Sequence, residues 1–262
     1  MISIYKYDRP GFDRAKTWSD RYRTMYASEK TFGDYEQQSF WPELKRLLQK
    51  DGAYLDVGCG IGGWVLFLNE FGYKTDGIDS NSGAIRAMSE YDPDLSLKIA
   101  STSAIPYKNE QFDGVLSIGS LEYSEGEVET SLREMYRVTK SGGFVCIEVP
   151  LANTLRRIFY IPLKKLEGML KPGSQTPTFV YYLFGQDEFV QLVENAGFSV
   201  EVVLPHDLPD AKSHFGLYSN WLFLRGAKPY ELNILGRLIK VICNGISPWI
   251  ASTGIALIAK KG

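Results

Sequence analysis

The chain has 262 residues, 44% hydrophobic and 23% charged, with a formal net charge of −2 at pH 7. That length fits one α/β domain with elaborations, the composition excludes general disorder, and the charge argues against a nucleic-acid partner. Three cysteines (Cys59, Cys146, Cys243) lack C-x-x-C spacing and read as thiols in a reducing compartment, while two histidines exclude a histidine-rich metal site, so no metal is expected.

Residues 1–14 carry charges and a Pro10-Gly11 turn where a signal peptide needs an apolar run, which makes a cytoplasmic protein the expectation. Trp18, Tyr22, Met25 and Tyr26 share helical spacing and predict an N-terminal helical segment. Pro42 opens a further helix with Leu44, Leu47 and Leu48 facing inward. Strands are then expected over 54–57, 74–78, 95–100, 112–118 and 144–149. Helices are expected between them over 64–71, 82–88 (capped by Ser80 or Asn81) and 127–138, with Ser141-Gly142-Gly143 as a turn. Repeated β-α units of this length mean a parallel sheet with helices on both faces. Residues 151–184 read as an insertion, 186–196 as a helix, 199–204 as a sixth strand, 205–249 as a second insertion with a helix over 229–243, and 254–260 as the last strand. The prediction is a single α/β domain with a doubly wound, mostly parallel seven-stranded sheet. Residues 241–259 hold no charge, but Asn244, Gly245, Ser247, Pro248 and Gly254 break any membrane-spanning helix there.

The first strand runs into Asp56-Val57-Gly58-Cys59-Gly60-Ile61-Gly62-Gly63. Glycines at such a turn permit φ values forbidden to side chains and let a ligand touch the main chain. Asp79 closes the second strand nineteen positions after Gly60, the usual place for a carboxylate that accepts both hydroxyls of an adenosine ribose. An N-cap role for Asp79 is the plain alternative. In an open parallel sheet these two strand tips meet at the binding crevice. The pair alone defines an adenosine cofactor and leaves a nicotinamide-linked dehydrogenase open.

Three further passages narrow it: Ala104-Ile105-Pro106-Tyr107 with Gln111-Phe112-Asp113-Gly114-Val115, then the stretch from Ser117 to Tyr123, then the one from Arg133 to Val138 leading to Ser141-Gly142-Gly143. With the glycine loop they resemble the class I S-adenosylmethionine-dependent methyltransferases, in particular the small-molecule group whose core runs "LDVGCGxG … D … LPF … FDxV … LEH … RVLKPGG". The resemblance covers about residues 54–150 and implies that fold and S-adenosylmethionine as cofactor. It implies that Gly58, Cys59 and Gly60 approach the methionyl end, Asp56 holds its amino group, and Asp79 with Ser80 takes the ribose. Ser101 and Thr102 stand where the family often has an acid facing adenine, and Ile118 and Gly119 line the cleft.

The family's "LEH" reads Leu121-Glu122-Tyr123 here. Methyl transfer from a sulfonium chiefly needs alignment and exclusion of water, and a base only where the acceptor must lose a proton. Tyr123 is the catalytic candidate at that position, beside the plainer reading of a packing residue; His206 and His214 are the other proton acceptors. The acceptor is expected to be chosen by residues 1–50 acting as a lid and by the two insertions. Residues 151–176 and 211–243 each carry net charge +4. These amphipathic stretches raise a lipid-linked or anionic acceptor and peripheral membrane contact, against core packing or a twin subunit. The expected activity is methyl transfer to an O or N atom of a small, lipid- or sugar-containing acceptor. A dehydrogenase and a non-catalytic cofactor binder are the alternatives.

Overall fold

A computed structural model describes residues 1–6, 35–170, 178–206, 224 and 232–262, with the side chains of 167–170 excepted. The helix expected around Trp18–Tyr26 (18–26) and the histidine at 214 lie outside these residues.

In chain order the elements are β1 (Ile2–Lys6), α1 (Trp41–Leu47), β2 (Ala53–Val57), α2 (Gly63–Glu70), β3 (Lys74–Asp79), α3 (Ser82–Tyr91), β4 (Leu97–Ile99) and β5 (Phe112–Ile118). There follow α4 (Val128–Val138), β6 (Thr139–Pro150), α5 (Ile161–Leu170), β7 (Thr178–Leu183), α6 (Gln186–Asn195), β8 (Phe198–His206), α7 (Ile234–Ile246) and β9 (Gly254–Lys261). Seven strands form one sheet in the order β4-β3-β2-β5-β6-β9-β8. The pairs from β4 through β6 are parallel, whereas β9 runs antiparallel to both β6 and β8. Strand order reverses between β2 and β5, which puts the crevice at their carboxyl ends.

Alternation along each strand feeds two cores. Leu55, Val57, Val115, Ile147 and Val149 face α4 (Val128, Leu132, Met135) and α6 (Phe189, Val193). Tyr54, Leu116, Cys146 and Ile258 face α1 (Trp41, Leu44) and α2 (Trp64, Phe67, Leu68). The i, i+4, i+7 spacing of Val128, Leu132 and Met135 is what commits α4 to the sheet. Each such fully buried side chain contributes about 1.5–3 kcal/mol.

Two local expectations change. The turn at 141–143 is a bulge inside one long strand: Phe112 pairs with Thr139, Gly114 with Phe144, and Gly142 takes a left-handed φ of 76°. The start of the chain is a strand, not only a helical segment, because β1 pairs antiparallel with β7 inside the first insertion. Both carry β-formers, and Ile4, Leu183, Tyr160, Ile161, Leu224 and Leu232 close a satellite core beneath that small sheet.

Because β8 and β6 point the same way, their ends His206 and Pro150 both pair with Gly254. Both insertions therefore leave the sheet at the edge that carries the glycine loop.

Candidate active site

The loop after β2 is held open by its own hydrogen bonds. The N–H groups of Gly58 and Cys59 donate to the Ile78 carbonyl at 2.8 and 2.9 Å, tying the loop to β3. Gly58 has φ 79°, and a Cβ there would collide with Ser120. Ser120 in turn donates its hydroxyl to the Val57 carbonyl at 2.7 Å, so β5 and β2 are stitched at their tips. Only glycine fits that position on both counts.

Asp79 anchors the other side. Its Oδ2 accepts from the Gly60 N–H at 2.8 Å and its Oδ1 from the Asn81 N–H at 2.7 Å. Burial raises its pKa while these two donors lower it. The helix-capping alternative falls to Asn81, whose Oδ1 accepts from the N–H groups of Gly83 and Ala84. A carboxylate offers about four acceptor positions, so Asp79 retains capacity for two hydroxyls. Ser80 beside it is exposed.

Asp56 is 3% exposed on β2. Burial, and then the charge of Asp79, push its carboxyl up to about 8. Tyr35 reaches the same space: a Cβ on Gly63 would collide with its hydroxyl, and burial followed by Asp56 pushes that phenol up to about 12. A buried carboxyl beneath a cradle of bare glycines suits a cationic amino-acid end, and an adenosine ribose suits Asp79. The residues present fit S-adenosylmethionine.

The remaining candidates divide. The Cys59 thiol points into the core beside Val65 and Leu97, over Gly77, and burial lifts its pKa well up, so only its main chain faces the loop. Ser101 bonds Ser103 at 2.8 Å at the sheet edge where Ala100 donates to the Asp79 carbonyl. Thr102 turns inward to Ser131 (2.8 Å) and Ser124 (3.1 Å). Ile118 is half-buried and Gly119, with φ 64°, is exposed at the tip of β5. Tyr123 is 37% exposed on the 3-10 turn Leu121–Tyr123. His206 is buried, its Nδ1 3.0 Å from the Ser39 hydroxyl and its ring beside Phe40.

Sequence reasoning does not single out Tyr35, Ser120, Glu122 and Glu148, which the structure places against Gly63, Gly58 and Gly119. Tyr35 and Glu148 come from elements with no motif; Ser120 and Glu122 sit inside a recognised passage, where the missing signal was burial.

Residues 55–147 match the methyltransferase domain family. Over that stretch the chain carries a methyltransferase domain, in the fold of S-adenosylmethionine-dependent methyltransferases, and the dehydrogenase alternative is set aside. The demethylmenaquinone methyltransferase of Oceanobacillus iheyensis is 28% identical over 197 residues, 67% of this chain and 82% of that protein. The ubiquinone/menaquinone biosynthesis C-methyltransferase of Campylobacter jejuni is 25% identical over 175 residues, 58% of this chain and 73% of that protein. In fold, a methyltransferase from Methanosarcina mazei superposes with a TM-score of 0.58 at 22% identity, covering 84% of this chain and 97% of that one.

Proposed function

We propose that this methyltransferase acts on a small lipophilic acceptor bearing an ionisable ring hydroxyl, of the reduced prenylated-quinone kind. The observation that carries the lipophilic part is α7. Ile234, Leu235, Leu238, Val241, Ile242 and Ile246 lie along one side of it and are all exposed, Ile234 at 85%. A helix buries its apolar stripe unless that stripe meets something else. The names of the quinone-methylating relatives support the same acceptor class, and "C-methyltransferase" favours a ring carbon activated by the hydroxyl. The O or N atom expected from sequence is the other outcome of the same test.

Within this reading the main chain at Gly58, Cys59 and Gly60 and the Asp56 carboxylate hold the methionyl end. Asp79 and Ser80 take the ribose, Ser101 and Thr102 flank the adenine, and Ile118 and Gly119 line the reaction space. Tyr123 acts as a wall at its rim. The bound cofactor supplies an activated methyl on a sulfonium; the protein's part is alignment and exclusion of water.

The exposed faces of α7 and of the segment Ile158, Phe159, Leu163 and Leu166 supply a surface for an anionic bilayer, where the acceptor dissolves. Arg157, Lys165 and Arg237 are exposed on the same elements, in insertions whose sequences each carry net +4. No helix among the described residues is long and apolar enough to cross a membrane. One experiment tests acceptor and surface together: methyl-labelled cofactor, protein, and a lipid extract presented in phosphatidylglycerol vesicles. Label is expected in an apolar quinol fraction, with protein co-pelleting at low salt. Label confined to the aqueous fraction would sink the acceptor class.

A second expectation follows from Asp56. A carboxyl lifted to about 8 is largely protonated at pH 7 in the unliganded protein. A cation set against it draws it into the ionised form, so cofactor binding is expected to release about one proton and to tighten as pH rises from 6 to 7.5. The sign for folding is opposite. A raised folded pKa gives stability that is full below the unfolded value and lost as pH climbs towards 8. Calorimetry in buffers of different ionisation heat reads the proton; a flat pH dependence of affinity would place the amino group away from Asp56.

A further inference from the structure

Glu148 is the register partner of Ile118, one strand over from the tip of β5. Its carboxylate occupies the room left by two glycines. A Cβ on Gly254 would collide with its Oε1, and its Oε2 lies 3.7 Å from where a Cβ on Gly119 would stand. Glu122 reaches the same place from the 3-10 turn, its Oε1 3.9 Å from that position. Both carboxylates are buried, at 5% and 6% exposure, while Gly119 above them is exposed. Glu122 Oε2 is buried with no hydrogen-bond partner among the described residues, a polar group left unpaired beside the exposed tip of β5.

We propose that Glu148 and Glu122 form a proton-accepting carboxylate pair for the methyl acceptor, with Glu148 taking the acceptor's hydroxyl proton and Glu122 holding the pair's resident proton. This rests on the hydroxyl-bearing acceptor proposed above. The step balances: the acceptor O–H bond breaks and its proton moves to the Glu148 carboxylate. The electron pair thus freed drives bond formation between the acceptor atom and the methyl group. The pair of the broken S–C bond stays on sulfur, which becomes a neutral thioether. On an oxygen acceptor the proton on Glu148 leaves to solvent after product departs; on a ring carbon the carbonyl oxygen takes it back, while the ring C–H proton, lost as the ring regains aromaticity, leaves to solvent.

The surroundings favour this division of labour. Two buried carboxylates that both lie within 4 Å of one bare glycine position disfavour each other's charge, so that one is held protonated. Burial, and then Glu148, hold Glu122 well above the ordinary range. Burial lifts Glu148 as well, while the Arg156 guanidinium and the Gly119 N–H oppose it and leave it at about 7. The other groups facing Glu148 are the Cys146 thiol on its own strand, which burial and then Glu148 push upward, and His206 across Gly254, whose Cδ2 is 3.4 Å from the same bare position. Glu148 is thus the member able to be ionised near neutrality, and a base poised there gives the largest return in proton transfer. A metal centre is not what the cluster forms, since no group of three His, Cys, Asp or Glu among the described residues is arranged to hold an ion.

The test uses E148Q and E122Q in the whole chain, with a reduced 1,4-naphthoquinone and methyl-labelled cofactor. E148Q is expected to lose about 10²–10³-fold in kcat, and the rise of rate with pH near 7, while S-adenosylhomocysteine affinity stays within about twofold. E122Q replaces the protonated member by a neutral amide and is expected to preserve the carboxyl titration of Glu148, so an E122Q protein in which no glutamate titrates near neutrality overturns the assignment of the base to Glu148. Independently of turnover, carbon-13 NMR of carboxyl-labelled glutamate should show one group titrating near neutrality in the parent protein and not in E148Q. Unchanged kcat in E148Q, an affinity loss that matches its rate loss, or the absence of that titration overturns the pair. No transfer by the parent protein to naphthoquinol or lipid extract overturns the acceptor class instead, and the NMR titration then still decides the pair.

Discussion

Arg156→Ala is expected to cost about 3–5 kcal/mol of folding free energy, the range for removing one partner of a buried ionic cluster. The side chain is fully buried. Its Nη1 donates to the Leu151 carbonyl and, at 2.6 Å, to that of Thr253, so it joins the end of β6 to the residue before β9. The Asn153 side chain holds the Arg156 N–H at 2.7 Å and reaches the Ser252 carbonyl at 2.7 Å. Alanine strands two carbonyls and leaves Glu148 without its cation, which forces that carboxylate to protonate. Urea denaturation at pH 7.5 reads the loss. Since a domain has about 5–15 kcal/mol in all, the variant is expected to be marginal. A loss under about 1 kcal/mol would mean that the guanidinium is not the clamp described.

Asp79→Ala carries the next largest effect, on the cofactor. It removes the proposed ribose acceptor and also the acceptor for the Gly60 and Asn81 N–H groups, so the glycine loop loses its brace. A loss of about 1–3 kcal/mol in S-adenosylhomocysteine affinity, roughly 5- to 150-fold, is expected by calorimetry. Asp79→Asn keeps one acceptor oxygen and should fall between. Equal affinity in all three proteins would put the ribose elsewhere.

The glycine loop and the two acids proposed for the donor side could be read from the chain because they are local. Positive φ at Gly58 and Gly60, an acid closing β2 and another closing β3 are consequences of a tight strand-loop-helix passage, and such passages leave contiguous signatures. The sheet was legible for the same reason: strand and helix periods alternate over residues 53–150 with short connections. The proposed acceptor side is assembled from distant residues. Glu148 and Glu122 are 26 positions apart in sequence, and nothing in either neighbourhood announces that both become buried over the same glycine. The pairing of β1 with β7 was hidden likewise, since Ile2–Lys6 is a short apolar run whose partner lies more than 170 positions away. Tyr123 drew notice through a motif position, yet the buried neighbour on the same turn is Glu122. Motif spacing reports which residues are near in sequence, and burial decides which of them can hold a charge out of water.

The placement of β9 has a consequence for how the chain folds. This strand is synthesised after every element it joins, yet it stands between β6 and β8 and bonds to both along nearly its whole length. Until residues 254–261 have emerged, β6 is an open, apolar edge and β8 has no strand to pair with. Strands β2 to β6 can assemble early, because their partners are close in sequence, but closure waits for long-range pairing, which is slow. During that interval Val145, Ile147 and Val149 line an unprotected edge of the kind that recruits other chains. Closure of the sheet is therefore expected to be limited by how quickly one eight-residue strand finds its slot.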